Sequence, residues 1–231
     1  MSSFPTLPPW TRHFVRRSER LRTTWRLRAG VLLLVGLAAW LPRDWWTTAI
    51  ARSLVCEADT APSDAILVEN FDPDYLVFER ARNLRREGLA PRVLVPVAMD
   101  SDGAPNDVAV GVAEVMARIS RLGPMEIVAT RQVEPITLTS SRDVLAYLQR
   151  ERIRSVIVVA PPFRSRRSAL VYRATFGPAG IAVRCVPARG GHTVENWSRA
   201  WHGIQDVTEQ WFKLQYYRFW VLPWRSGAGR G

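Results

Sequence analysis

Residues 155–160 restrict the fold of this chain more than any other stretch. They read Ser-Val-Ile-Val-Val-Ala and are followed by Pro161 and Pro162. A short run of β-branched residues predicts a buried strand, which ends at the prolines because they cannot donate to a strand ladder. Helical apolar spacing begins at Ser168, so a strand is followed by a turn and a helix, and the turn holds Arg164, Arg166 and Arg167. Ligands bind at the carboxyl ends of strands in open α/β sheets, so this turn is either an anion site or a solvated basic turn.

Similar units recur along the chain. Four more short strands are predicted, at 65–69, 92–97, 126–129 and 181–186. Helices are predicted at 74–87, 108–122 and 142–150, and after the arginine turn up to Phe176. Strands that alternate with helices at this spacing predict right-handed parallel βαβ units. The predicted fold class is therefore α/β, a Rossmann-like three-layer domain with a mostly parallel sheet, preceded by one N-terminal transmembrane helix.

The transmembrane helix is predicted from an uncharged apolar run at residues 29–41. The run is shorter than the ~20 residues of a typical span, and the alternatives are a buried helix and a cleaved signal peptide. A buried helix should have a polar face, which this run lacks. An anchor is favoured by tryptophans at both ends, because indole rings prefer the membrane interface: Trp25, Trp40, Trp45 and Trp46.

The distribution of charge predicts the orientation of this anchor. Residues 12–28 contain seven arginines and one glutamate, which by the positive-inside rule places the N-terminus in the cytoplasm. We therefore expect a single-pass protein of the bacterial inner membrane that contacts the lipid bilayer through residues 29–46 and carries its C-terminal domain outside the cytoplasm. The predicted organisation is a basic N-terminus (1–28), the anchor (29–46), a linker (47–62), the α/β domain (63–224) and a flexible tail (225–231).

Several function classes are excluded by composition and motifs. More than half of the formal net charge of +11 comes from residues 12–28, and no zinc-finger, basic-zipper or RNA-binding signature occurs, so we expect no nucleic-acid partner. P-loop, nucleophile-elbow, zinc-protease and dinucleotide-binding motifs do not occur either, so we expect no cofactor and no metal. Cys56 and Cys185 either pair, if the domain is exported, or remain buried free thiols.

A hydroxyl-rich segment is the second candidate place at the carboxyl edge of the predicted sheet. It precedes the predicted helix at 142–150, where free N–H groups of a helix N-terminus hold phosphate groups. The alternative is plain capping, because Ser140 followed by Asp143 approximates a capping box. The segment contains Thr137, Thr139, Ser140 and Ser141.

The loop at 70–74 is the third candidate place. It follows the first predicted strand and carries two carboxylates, Asp72 and Asp74. These side chains either contact a metal or act as a base, or they serve ordinary turn geometry.

The C-terminal segment at 194–224 is rich in aromatic residues. Four of its apolar residues fall on one face of a predicted helix: Trp197, Trp201, Ile204 and Trp211. Such a face either packs on the sheet or contacts the membrane interface, where tryptophan and tyrosine are favourable.

Several of these motifs, taken in order, resemble the YdcF-like domain of unknown function, the class that includes the SanA and ElyC envelope proteins. The resemblance covers roughly residues 64–217 and rests on the basic N-terminus and short anchor, the first strand, residues 88–91, 134–140, 158–168 and 196–197, and the spacing of Glu209, Lys213 and Tyr216. It implies a Rossmann-like fold, an inner-membrane tether and a role in envelope or polysaccharide biogenesis.

The resemblance also implies the roles of site residues. Glu134 is the candidate catalytic residue, as general base or metal ligand, and the ligand-binding candidates are Thr137, Thr139, Ser140 and Arg167, to which the arginine turn itself adds Arg164. Asn70 and Phe71 stand where the family has a glycine pair, and Arg164 stands where it often has histidine. One function is therefore binding of an anionic (phosphorylated) envelope or polysaccharide intermediate such as a lipid-linked sugar. The alternative is a non-catalytic, partner-binding component of an envelope assembly with a decayed site, and enzymatic activity is left open.

Overall fold

The computed structural model describes residues 25–70, 74–188 and 190–223. The chain divides between Arg43 and Asp44 into two compact units. In the first unit, α1 (Trp25–Trp40) exposes apolar side chains all round its axis. Among the described residues, no single helix has the length and apolar composition to cross a membrane, although a bent pair at 25–38 and 43–54 passes both criteria together. The predicted N-terminal anchor therefore stays a prediction.

The second unit contains a five-stranded sheet in which every pairing is parallel, in the order β3-β2-β1-β4-β5. This confirms the predicted Rossmann-like α/β fold. Its strands are β1 (Ala65–Val68), β2 (Arg92–Ala98), β3 (Glu126–Thr130), β4 (Ser155–Ala160) and β5 (Ala182–Pro187). Its helices are α2 (Arg43–Leu54), α3 (Tyr75–Arg86), α4 (Asp107–Ser120), α5 (Ile136–Arg150), α6 (Pro162–Phe176) and α7 (Trp201–Tyr216).

The sheet is buried on both faces, as the apolar strands predict. Side chains alternate along β1, so Ile66 and Val68 pack with α3 and α4, whereas Ala65 and Leu67 pack with α5 and α6. The central strands are aligned by register, with Leu67 opposite Val158 of β4. Helices therefore cover both faces, and the carboxyl ends of all five strands meet at one edge.

Two helices begin earlier than their sequence patterns indicate. The hydroxyl-rich segment lies inside α5, which begins at Ile136, so the predicted start at Arg142 is wrong. Ser141 Oγ donates to Leu138 O at 2.7 Å, a backbone bond that keeps the hydroxyl satisfied within a helix. Similarly, α6 begins at Pro162, because proline is compatible with the first position of a helix.

The segment at 47–62, predicted as a linker, is attached to the α/β unit. Ala51 and Leu54 of α2 pack with Phe163 of α6. Cys56 and Cys185 form a disulfide, with their Cα atoms 6.3 Å apart. Of the two alternatives for the cysteines, the paired one is therefore observed.

The C-terminal helix packs through small and polar residues. Its buried positions are Gly203, Val207, Gln210 and Leu214. Trp197 is also buried, and its indole N–H donates to Thr47 O at 3.2 Å. Trp201, Ile204 and Trp211 are exposed, because α7 turns its opposite side to the core. For these three members of the predicted aromatic face, packing on the sheet is therefore wrong.

Candidate functional site

The sheet has a topological switch point between β1 and β4. The chain proceeds from β1 to β2 and β3 on one side, and β4 and β5 lie on the other side of β1. Connections that leave neighbouring strands in opposite directions open a crevice at the carboxyl edge, where open α/β sheets bind ligands. The residues that follow Val68 and Ala160 therefore surround the expected site.

Glu69 is a buried carboxylate directly after β1. Alternation along the strand places it on the side of α5 and α6, and it is 2% exposed. Its Oε2 accepts a hydrogen bond of 2.7 Å from the Ser168 hydroxyl of α6, and its Oε1 has no protein partner. Glu69 was not among the predicted site residues, because a charged residue at the end of an apolar strand usually marks the passage to solvent.

Arg167 is a buried guanidinium on α6, 7% exposed. It donates to Thr137 Oγ1 at 2.8 Å and to Gln210 Oε1 at 3.4 Å, and it lies 5.5 Å from the centre of the Tyr217 ring. Its Nε has no acceptor, and no ion pair of Arg167 occurs in the described part of the chain. The partners of this charge are therefore neutral.

Two buried hydroxyls complete a polar cluster on this side of the sheet. Among the residues that the structure describes, neither Ser140 Oγ of α5 nor the Tyr172 hydroxyl of α6 has a hydrogen-bond partner. Burial raises the pKa of Tyr172 well above its ordinary value, the charge of Glu69 raises it further, and the charge of Arg167 acts in the opposite direction. Buried polar atoms are nearly always paired in proteins, so this concentration of unpaired atoms is typical of a place that holds water or a ligand.

A cavity of about 320 Å³ lies next to this cluster. It brings together four of the predicted site residues, Glu134, Thr137, Arg164 and Arg167, whereas Thr139 and Ser140 do not line it. The remaining lining residues were not predicted as site residues: Ile136, Glu209, Lys213, Tyr216 and Tyr217. Four of these five residues belong to α7 or directly follow it, and their spacing in the sequence did not indicate that α7 would supply this wall.

Charged groups at the cavity differ in how far they are neutralised. Lys213 Nζ pairs with Glu209 Oε1 at 2.5 Å. Burial raises the pKa of Asp206 above its ordinary value, and the positive charge of Arg164 opposes this rise. Arg167 is therefore the cation at this cavity with the least compensation from carboxylates.

The amino end of α5 is already capped within the protein. The Ile136 N–H donates to the Glu134 carboxylate at 3.3 Å, and the Thr137 N–H donates to the Tyr217 hydroxyl at 3.2 Å. Thr139 donates its N–H to the carbonyl of Pro135 at 3.1 Å. Thr139 and Ser140 therefore do not offer the free helix N-terminus that the sequence predicts for a phosphate.

The loop after Glu69 contributes less than predicted. Asp72 lies outside the described residues, and Asp74 caps α3 by accepting the Leu76 N–H at 2.9 Å. Asn70 lines a separate cavity of about 290 Å³ with Pro96 and Ala109. Of the two roles predicted for this loop, Asp74 therefore has the structural one, in local backbone geometry.

Within the described residues, no three His, Cys, Asp or Glu side chains are grouped so that they could hold a metal ion. No protein-family model matches the chain, and no curated protein matches it in sequence.

Proposed function

We propose that this chain is a membrane-anchored, extracytoplasmic YdcF-like domain that binds an anionic, phosphorylated intermediate of envelope or polysaccharide biogenesis. The proposal depends on Arg167, which is buried and has only neutral hydrogen-bond partners. A buried guanidinium without a carboxylate partner costs free energy. A phosphoryl group in the adjacent cavity would offset that cost by accepting charge-assisted hydrogen bonds.

The membrane anchor is supported by α1, whose apolar side chains are exposed all round the helix axis. A helix of its sixteen residues is about 24 Å long at 1.5 Å per residue, somewhat short of the ~30 Å hydrocarbon core. The long side chains of Arg26 and Arg28 can extend to the headgroups and lengthen the effective span. The Cys56–Cys185 disulfide supports an extracytoplasmic domain, because disulfides persist in oxidising compartments.

The cavity residues receive different roles in this proposal. Arg164 and Arg167 neutralise the anion, and the Thr137 hydroxyl orients Arg167. Glu134 is assigned to proton transfer, because the other carboxylate at the cavity, Glu209, is engaged by Lys213.

The alternative is a non-catalytic component that binds a protein partner of an envelope assembly. It is favoured by the amino end of α5, where the Tyr217 hydroxyl and Glu134 occupy the N–H groups that would otherwise hold a phosphate. Asn70, which stands where the family has a glycine, also favours this partner-binding alternative.

Thermal unfolding of the full-length protein in detergent separates the two functions. Pyrophosphate should raise the unfolding temperature above that in chloride at equal ionic strength, since a ligand that binds the native state stabilises it by about 2.7 kcal/mol at a hundred times its Kd. Arg184, which contacts Ala61 and Asp59 away from the cavity, provides the control: Arg184→Ala should retain the gain. A wild-type protein without any gain would favour the partner-binding alternative.

A further inference from the structure

An aromatic stripe runs along the exposed side of α7 and its π-helical extension, Tyr217–Val221. We define the stripe as Trp201, Ile204, Trp211, Phe212, Phe219 and Trp220. Trp201 is 72% exposed, and Phe212 and Trp220 are each 63% exposed. At 3.6 residues per turn, positions 201, 204, 211 and 212 of α7 fall within an arc of about 100°. These four side chains therefore face the same side of the helix.

The composition of the stripe favours a membrane interface over water. Large contiguous apolar surfaces are rare on soluble monomers and mark interaction sites. Five of the six side chains are aromatic and three are tryptophans, the residues that favour the headgroup region. The opposite side of α7 is buried against the α/β unit, so the stripe is the side of this helix that is available to a membrane surface.

The segment before α7 contacts α2, the helix that follows α1 in the chain. Only Leu41 and Pro42 separate α1 from α2. The indole N–H of Trp197, four residues before α7, donates to Thr47 O of α2 at 3.2 Å. The helix that directly follows the proposed anchor in the chain therefore contacts the segment before the stripe.

A basic groove beside the C-terminal end of the stripe indicates that the membrane surface it contacts is anionic. This groove, about 960 Å³, is lined by Leu214 and Gln215 of α7 and by three exposed arginines, Arg166, Arg173 and Arg218. Its carboxylates are Glu57 and Asp59, of which Asp59 is paired with Arg184. The groove therefore carries a surplus of positive charge, and basic groups beside a membrane surface attract anionic lipids.

We infer that the aromatic stripe lies in the headgroup region of an anionic lipid bilayer, with the arginine groove against lipid phosphates. The C-terminal helix would then hold the α/β unit against the membrane. This inference rests on the anchor of the proposed function, and it is independent of what the 320 Å³ cavity binds.

The test uses the full chain in vesicles of phosphatidylglycerol and phosphatidylcholine, with the native cysteines left as their disulfide. An environment-sensitive fluorophore is attached at Phe212→Cys, and nitroxide lipids act as quenchers. Val115→Cys on α4, 45% exposed and on the opposite face of the sheet, is the matched control. We expect shorter-wavelength emission and lipid quenching at position 212 and neither at position 115.

Two results would overturn the inference. The first is a label at position 212 that behaves like the one at position 115. The second is a label at 212 that is shielded from water but not quenched by lipid, and that cross-links to a second copy, because another protein chain then covers the stripe. A third label at Leu34→Cys in α1 separates the claims: quenching at 34 without quenching at 212 refutes the stripe alone, whereas no quenching at 34 refutes the anchor.

Discussion

The guanidinium of Arg167 donates a 2.8 Å hydrogen bond to Thr137 Oγ1 and thereby joins α6 to the first turn of α5. Gln210 is its only other hydrogen-bond partner among the described residues, and the Tyr217 ring lies 5.5 Å away, although this charge is only 7% exposed.

Arg167→Met should abolish most of the stabilisation by pyrophosphate. The substitution preserves the apolar stem but removes charge-assisted hydrogen bonds worth roughly 1.5–3 kcal/mol, a loss of about tenfold to a hundredfold in affinity. Titration calorimetry measures the affinity. Arg86→Met, on the exposed side of α3, is the control; equal affinities for the two variants would exclude Arg167 from the site.

Glu69→Gln should change pyrophosphate binding in the opposite direction. It removes a buried negative charge on the same side of the sheet and keeps an acceptor for Ser168 Oγ. The anion should bind more tightly, because one repulsive charge is lost in a medium of low dielectric. Glu114→Gln, on the exposed side of α4, should leave the affinity unchanged. Weaker binding to Glu69→Gln would instead indicate that the ligand itself donates a hydrogen bond to this carboxylate.

Reduction of Cys56–Cys185 should lower the free energy of unfolding. The bond links residues 129 apart, and removal of a native disulfide typically costs about 2–5 kcal/mol. Urea unfolding with and without a reducing agent measures the change. The double variant Cys56→Ala with Cys185→Ala should be insensitive to reductant, and a wild-type protein that is equally insensitive would contradict the pairing.

Acid should weaken the contact between β2 and β3. Hydrogen bonds from Arg92, and to a lesser extent from Tyr147, lower the pKa of Glu126 below its ordinary value of 4.5. A carboxylate with a lowered pKa in the native state stabilises it above the ordinary pKa, and this stability is lost as the pH falls through the lowered value. Glu126→Gln should therefore cost about 1 kcal/mol or less near pH 7 and flatten the stability profile below pH 4.5. Urea midpoints between neutral and acidic pH test this, and parallel profiles for wild type and variant would refute it.

Two helical glycines should respond oppositely to alanine. A Cβ at Gly203 of α7 would lie 2.3 Å from Trp197 O, whereas a Cβ at Gly111 of α4 would meet nothing within 4 Å. Overpacking at Gly203 should cost about 1–3 kcal/mol, and Gly111→Ala should stabilise by up to about 1 kcal/mol. Thermal unfolding compares them, and a neutral Gly203→Ala would show that α7 can move away from Trp197.

The strands could be predicted because β-branched runs between prolines and glycines leave few alternatives. Local patterns failed where tertiary packing decides. The hydroxyls of Thr139 and Ser140 favoured a helix cap, yet packing on α6 extends α5 through them. Likewise, the aromatic face of α7 left packing on the sheet open as one alternative, but Gly203 and Gln210 face the core, whereas Trp201 and Trp211 face outward.

Part of the site was similarly out of reach of sequence patterns. Arg167 and Thr137 could be named because a turn and a hydroxyl segment are local features. Glu69 was hidden by its position at the end of an apolar strand, where a charged residue usually marks the passage to solvent. Its burial depends on Ser168 and Tyr172, which come from α6, far along the chain.

The segment held by Cys56 also affects whether another chain can pair with the edge of the sheet. β5 is the last strand on its side, and the Asp59 N–H donates to Cys185 O at 2.9 Å, while Arg184 contacts Ala61. An uncovered last strand is a template for addition of a foreign strand and for aggregation. The disulfide therefore fastens residues 56–61 beside β5, so that this edge strand is covered by a segment of the same chain.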